Sequence, residues 1–290
     1  MQVARFQFWL LVAPGMAFLI AFMVLPLIFI VVFSFWRTES YTLIREWNLD
    51  NYITLFTDWT YIKFLLRSLS MAAIVSLVAL IYAWPVAFFI ARHGGHFKLV
   101  FLLLTSAPFL TGEILRITAL QQILGPIGVI NMALGAFGLE PIEALMYTST
   151  ASAIGLTYLW IPFMVLAIYL SLLNFDFDLL EVAKVNGARP LRAFWEITWP
   201  LNRAGSAIGI VLVFIPTLAS AITSQFLGGP NGALYGNILA HQFGATGTWA
   251  FGSAMGVVLF AISLIVLYAV WKTVGDLKRS GVTLKGGAEP

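Results

Sequence analysis

The chain has 290 residues, 60% of them hydrophobic and 10% charged, with a formal net charge of +3. Ordinary soluble domains carry roughly 25% charged residues. A globule of this size could not hide so much apolar surface, which excludes a soluble enzyme, a nucleic-acid-binding module and a disordered chain. What remains is an all-α integral membrane protein, and with no cysteine it has no disulfide, thiolate metal site or cysteine nucleophile.

A spanning helix needs about 20 mostly apolar residues to cross a ~30 Å hydrocarbon core. Charge-free gaps place the first span at 8–35 and the second at 68–90. The first is too long for the apolar region of a signal peptide and lacks a small-residue cleavage site, so it reads as a retained span. The third apolar run begins after Lys98 and meets Glu113 and Arg116. Leu99 to Gly112 covers only about 21 Å of helix, so the run must continue through both charges, giving a span at 98–120. Glu113 and Arg116 are i and i+3, on one face, where they can pair or face a polar cavity. The fourth span is 144–173. The uncharged stretch from Ala204 to Trp271 is too long for one crossing and carries a turn signal at Gly228-Gly229-Pro230-Asn231-Gly232. It divides into spans at 204–225 and 251–271, making six, in one membrane domain covering 1–290. Between the first two spans, Trp47, Tyr52, Trp59 and Tyr61 suit a short amphipathic element at the membrane interface.

Lys and Arg set the orientation. With the N-terminus inside, the inner segments carry Arg5, Arg92, Lys98, Lys184, Arg189, Arg192, Arg203, Lys272, Lys278, Arg279 and Lys285. The outer segments carry Arg37, Arg45, Lys63 and Arg67. Both termini are therefore expected in the cytoplasm. The longest inner loop, 174–203, reads as two short helices at an angle. Asp178 suits an N-cap, and Glu181 three residues on makes a capping-box arrangement. Leu179, Val182, Ala183 and Asn186 follow helical spacing, Gly187 suits a left-handed C-cap, and Pro190 suits the first turn of the second helix. Pro200 is expected to interrupt that second helix before the fifth span. Ala183, Gly187 and Ala188 leave room for another backbone to approach. On local physics alone the loop could equally be an amphipathic pair at the interface, with Glu181 merely capping.

The spacing Glu181-x-Ala183-x3-Gly187-x9-Ile197-x2-Pro200 resembles the EAA loop in the membrane subunits of bacterial ABC importers. Ala188, Phe194 and Gly205 extend the likeness; Val182 and Trp199 depart from it, with bulkier apolar side chains than usual. Arg37, Asn51-Tyr52 with Phe56, Pro108 with Arg116, the Gly-Val-Ile-Asn run at Gly128 to Asn131, and Phe226-Leu227-Gly228-Gly229-Pro230 look like the spermidine/putrescine branch of these permeases. The resemblance implies a type I importer permease fold. It also implies that Glu181, Val182, Ala183, Gly187, Ala188, Phe194, Ile197 and Pro200 couple the chain to a cytoplasmic ATPase. The implied partners are two ATPase subunits, which bind ATP and Mg, a second permease subunit, and a periplasmic or lipid-anchored substrate-binding protein, all assembled in membrane lipid.

The chain lacks a G-x-x-x-x-G-K-[ST] phosphate loop and should bind no nucleotide. His93 and His96 without a third ligand make no metal site. Glu113 is the only acid within a span, and intramembrane charge is costly enough to mark a functional candidate; a passing cationic amine could meet it. Tyr82, Trp84, Tyr158, Trp160 and Gln225 are further candidates to line a path, since aromatic faces attract ammonium groups. Asn237, Gln242 and the glycine-rich outer loop are candidate contacts for the binding protein. The alternative is a secondary transporter or channel driven by an ion gradient. Such proteins often show inverted repeats and midplane acids, and neither is evident here. A membrane enzyme lacks a nucleophile–base constellation.

Overall fold

A computed structural model describes residues 2–142 and 145–279. The expected start of the fourth span at 144 and Lys285 lie outside the described residues. Six helical stretches among those described are long and apolar enough to cross a membrane: Val12–Ser34, Trp59–His93, Glu113–Ala136, Ser149–Leu172, Pro190–Leu218 and Trp249–Gly275. The chain divides into two compact units. One takes in the chain up to Ile62 together with Ile238–Ala261, and the other holds Lys63–Asn237 and the chain from Ile262.

The first unit begins with helix α1 (Gln2–Ser34). The most apolar stretch of Val12–Ser34 has no residue buried by protein, as suits a helix whose apolar side chains face lipid, whereas Ser34 at its end is fully buried. Where α1 ends, its last carbonyls need donors. The Asn51 amide supplies them, donating to Ser34 O at 2.9 Å and Trp36 O at 2.8 Å. Tyr52 Oη lies 2.7 Å from Ser34 Oγ. A two-stranded antiparallel hairpin follows, β1 (Arg37–Glu39) and β2 (Thr42–Ile44), and then α2 (Asp50–Thr57). Both turn residues, Ser40 and Tyr41, have positive φ, the geometry of a tight two-residue hairpin. The expected amphipathic interface element is thus a hairpin plus a two-turn helix. Ser-Tyr lacks the usual Asn-Gly signal of such a turn, so the sequence concealed it. Thr38 Oγ1 accepts from the Ala250 N–H at 3.0 Å, at the start of the helix Trp249–Arg279.

The second unit holds most of the buried core. Helix α3 (Trp59–His93) enters it at Lys63 and presents a small-residue stripe of Ala72, Val75, Ala79, Ala83, Ala87 and Ala91 to the interior. The expected continuous third span at 98–120 is broken. Helix α4 (Lys98–Ser106) passes into one 3-10 turn containing Pro108. Thr111 and Gly112 are extended, and α5 (Glu113–Leu124) starts afresh, followed by α6 (Val129–Ala136). Proline cannot donate to the ladder and crowds the preceding turn, and the extended Thr111-Gly112 pair resets the helix axis. Counting charge-free residues gave a length but could not reveal that reset.

Helices α7 (Ser149–Leu172) and α10 (Trp199–Leu218) pack at close range through small residues. A Cβ added at Gly205 would meet Ser171 Cβ at 2.3 Å and Ala167 O at 2.9 Å, and one at Gly209 would meet Met164 Sδ at 2.4 Å. Small residues at helix interfaces let backbones approach where lipid supplies no hydrophobic driving force. A hydrogen bond also pins the pair: Ser171 Oγ donates to Asn202 Oδ1 at 3.1 Å, while the buried Asn202 amide is held in place by Thr198 O one turn back, at 2.9 Å. Gly205→Leu is therefore expected to overpack the seam and cost about 1–3 kcal/mol, read as a lowered unfolding midpoint in detergent. An unchanged midpoint would mean that the seam can open without cost.

Candidate functional site

Residues 174–203 fold around a sharp knuckle in the second unit. Asp176 Oδ1 accepts the Asp178 N–H at 3.0 Å, and α8 (Asp178–Val185) begins there. The capping-box expectation is corrected: Phe177 occupies the N-cap and no side chain caps it, because Asp178 already lies within the first turn. Leu180 and Ala183 are the buried pair, whereas Val182 is exposed and Val185 is 87% exposed.

The far end of α8 follows the expectation for Gly187, which has φ +81°. Its N–H reaches Lys184 O at 3.0 Å, and the Ala188 N–H reaches Ala183 O at 3.0 Å. This paired closure needs a residue that tolerates the left-handed region. Asn186 adds a side-chain bond to Val182 O at 2.8 Å. Pro190 then opens α9 (Pro190–Ala193), as expected.

Pro200 does not interrupt the second helix, correcting that expectation. Phe194–Thr198 form a wider π turn in which the Trp199 N–H bonds Phe194 O, and Pro200 sits in the first turn of α10. Shifting to i→i+5 bonding accommodates the N–H that Pro200 lacks. The knuckle therefore continues into α10 as one helical body, which reaches α7 through the glycine seam.

Glu181 does not turn back to cap its own helix. It pairs with Arg92 on the last turn of α3, Nη2 to Oε1 at 2.5 Å, with both side chains partly in solvent. A pair so exposed is worth only about 0–1 kcal/mol, so it orients the acid more than it stabilises the fold. Arg192 and Glu196 make a second exposed pair at 2.8 Å. The aromatic packing beneath is firmer. Trp84 is only 5% exposed, donates to Ser206 Oγ at 3.1 Å, and packs edge-on against Phe194 at 5.2 Å and beside Trp199 at 5.6 Å. Ile197 packs on the same core. Trp84 thus stands with the coupling-loop candidates rather than with the other path candidates.

Glu113 heads α5 beyond the helix break, and its Oε1 accepts from Thr223 Oγ1 at 3.0 Å. Arg116 does not turn to it. The guanidinium lies over Phe109, 4.8 Å from the ring centroid, and its Nε and Nη1 are buried without a hydrogen-bond partner among the described residues. Gln121 donates to Phe226 O at 3.0 Å, tying α5 to the π turn Ser224–Gly228, where Gln225 is exposed. Tyr82 is 63% exposed on α3 and Tyr158 is exposed on α7, whereas Trp160 is half-buried against Phe163 at 5.6 Å. Among the described residues no hydrogen bond or ring contact joins Tyr82, Tyr158 or Trp160 to Glu113.

Sequence reasoning missed Thr223 and Ser206, since a lone hydroxyl in an apolar run gives no signal. Arg92 was visible only as a topological charge. The outer-loop candidates are engaged internally. Asn237 Oδ1 accepts from Ser224 Oγ at 2.6 Å and the Leu234 N–H at 2.8 Å, while its amide donates to Ala221 O at 2.7 Å. Gln242 Oε1 accepts from Thr246 Oγ1 at 3.1 Å and from Thr248 Oγ1. His93 stacks on Phe89 at 5.7 Å between centroids.

No family model matches the chain. Curated relatives do. The chain is 34% identical over 257 residues to the spermidine/putrescine transport system permease protein PotB of Escherichia coli (strain K12), covering 88% of this chain and 93% of that one. It is 31% identical over 271 residues to PotB of Haemophilus influenzae, covering 92% and 94%. It is 32% identical over 250 residues to the inner membrane ABC transporter permease protein YdcU of Escherichia coli, covering 81% and 79%. Among solved structures, a bacterial ABC transporter involved in import of the acidic polysaccharide alginate superposes with TM-score 0.68 at 16% identity, over 97% of this chain and 98% of that one. The MetNI methionine ABC transporter in an inward-facing conformation superposes with TM-score 0.56 at 15% identity, over 76% and 96%. Agreement in sequence over nearly the full length, with six apolar helices and the same permease fold, makes this a multi-pass inner-membrane subunit of an ABC importer, and the chain belongs to the PotB permease family.

Proposed function

We propose that the chain forms half of a translocation path for a polyamine such as spermidine or putrescine, and that its 178–200 knuckle receives the work of ATP hydrolysis from a separate subunit. Both termini and the knuckle face the cytoplasm in this reading, as the distribution of Lys and Arg favours. The observation that carries the coupling reading is the outward face of α8. Val182 and Val185 stand in solvent at the tip of a short helix whose other face is locked into the core by Leu180 and Ala183. An exposed apolar tip on a rigid mount is a surface that awaits a partner. Two ATPase subunits holding ATP and Mg, a second permease subunit and a substrate-binding protein on the outer face complete the machine; this chain holds no cofactor and works as one membrane domain.

Alternating access follows from that mount. Closure of the ATPase pair displaces the knuckle, and α9, the π turn and α10 carry the motion to α7 as a single body. Nucleotide can shift the equilibrium only by binding one state better than the other. The polyamine reading rests on the names of the relatives together with Glu113, an acid beside the helix break. The test is reconstitution of the complex purified through this chain. ATP hydrolysis stimulated by a binding protein loaded with spermidine is expected. Uptake by this chain alone, driven by an ion gradient, would overturn the reading.

A further inference from the structure

A cavity of about 1060 Å3 opens in the second unit between α3 and the 180–199 segment. Its walls are apolar: Leu77, Ile81, Trp84 and Phe88 on α3 face Phe194 and Trp199. Ligand pockets run from about 300 to 1,000 Å3, so the space is large for packing left over in a helical bundle. Leu77 to Phe88 spans roughly 16 Å of helix rise, close to half of a ~30 Å hydrocarbon core. The cavity is therefore about one leaflet long.

Its two ends differ. The apolar end is lined by Leu77 and Ile81, both exposed on the flank of α3. The other end carries Arg92, Glu181 and Lys184. Glu181 offsets Arg92, and the exposed Lys184 ammonium meets no carboxylate among the described residues. Trp195 stands exposed at the rim, in the amphipathic position indoles take at headgroup level. An apolar trough one leaflet deep, closed by a surplus cation at the interface, is complementary to an acyl chain joined to an anionic headgroup. Basic pockets between spanning helices recognise such lipids.

We infer that this cavity is a binding site for an anionic phospholipid of the bilayer, one acyl chain lying along Leu77–Phe88 and the phosphate at Lys184. The coupling helix would then rest against a lipid on its inner face.

The test uses the full chain in vesicles of phosphatidylcholine doped with either phosphatidylglycerol or phosphatidylcholine carrying a photoreactive group on the acyl chain, with labelled peptides mapped by mass spectrometry. The phosphatidylglycerol probe is expected to label residues 77–88 and 194–199 in preference to the other lipid-facing helices, about fivefold over the phosphatidylcholine probe. Lys184→Gln should erase that preference. Ile81→Trp, at an exposed rim position that need not disturb folding, should reduce labelling by both probes. Equal labelling by both headgroups, or label spread evenly over all lipid-facing helices, would overturn the inference. So would absence of label at 77–88 in the assembled complex with a second permease cross-linking there instead.

Discussion

Glu181→Arg is expected to lower polyamine uptake roughly tenfold or more, a loss of at least ~1.4 kcal/mol of productive coupling, at unchanged membrane abundance. The two halves of that expectation come from different observations. Abundance should hold because the Glu181–Arg92 pair is solvent-exposed on both sides, and such pairs contribute only about 0–1 kcal/mol. Uptake should fall because the substitution places two guanidinium groups where one ion pair held the start of α8 against α3. The tip bearing Val182 and Val185 would then be tilted on a mount that Leu180 and Ala183 still hold. Gly187→Val attacks the same knuckle from its other end. A β-branched residue at φ +81° costs roughly 1–2 kcal/mol and unseats the Ala188 to Ala183 closure. Uptake of labelled spermidine, normalised to immunoblotted membrane protein, reads both variants. Normal uptake at normal abundance in both would remove the knuckle from the mechanism.

Glu113→Gln is expected to reduce uptake of a polyamine cation about fivefold while leaving the fold intact. The amide oxygen of glutamine can still accept from Thr223 Oγ1, which lies at 3.0 Å, so the substitution deletes charge and little else. Arg116 does not compensate, because its guanidinium is turned onto Phe109. Two unit charges 4 Å apart interact by about 1 kcal/mol in water and about 4 at the effective dielectric of a protein surface. Fivefold corresponds to the lower figure, the one that applies to an acid lining a water-filled path. The loss should widen at low ionic strength, where screening is weaker. Thr223→Ala is the control, removing the hydrogen bond but not the charge. Uptake that Glu113→Gln leaves unaltered would reduce the acid to an anchor for Thr223.

The apolar spans were legible in the sequence because a bilayer imposes a length and a charge rule that residue order records directly. The left-handed turn at Gly187 and the helix start at Pro190 were legible for a similar reason, since each residue type has few alternatives there. What escaped was geometry that depends on where bonds go. The break at Thr111-Gly112 lies inside an apolar run, so hydropathy passes over it. The π turn before Pro200 keeps a helix going where proline alone suggested a stop. Asp178 has the chemistry of a cap, but the Asp176 turn starts the helix one residue earlier than a cap at Asp178 requires. Which face of α8 is buried, with Leu180 and Ala183 inside and Val182 exposed, depends on how the helix packs on its neighbours, and helical spacing alone does not record that. The link from Glu181 to Arg92 joins residues 89 apart, beyond the reach of any local pattern.

The central claim is that the tip of α8 meets an ATP-hydrolysing subunit, and the absence of cysteine from the chain permits a direct measurement. A single Val185→Cys substitution introduces one thiol, at a position 87% exposed. Zero-background thiol cross-linking in native membranes, followed by identification of the captured protein, reports what lies against it. The account predicts a nucleotide-hydrolysing subunit, captured more strongly in one nucleotide state than in the other. A thiol that is freely modified by water-soluble reagents in every state, with no such subunit captured, would contradict it.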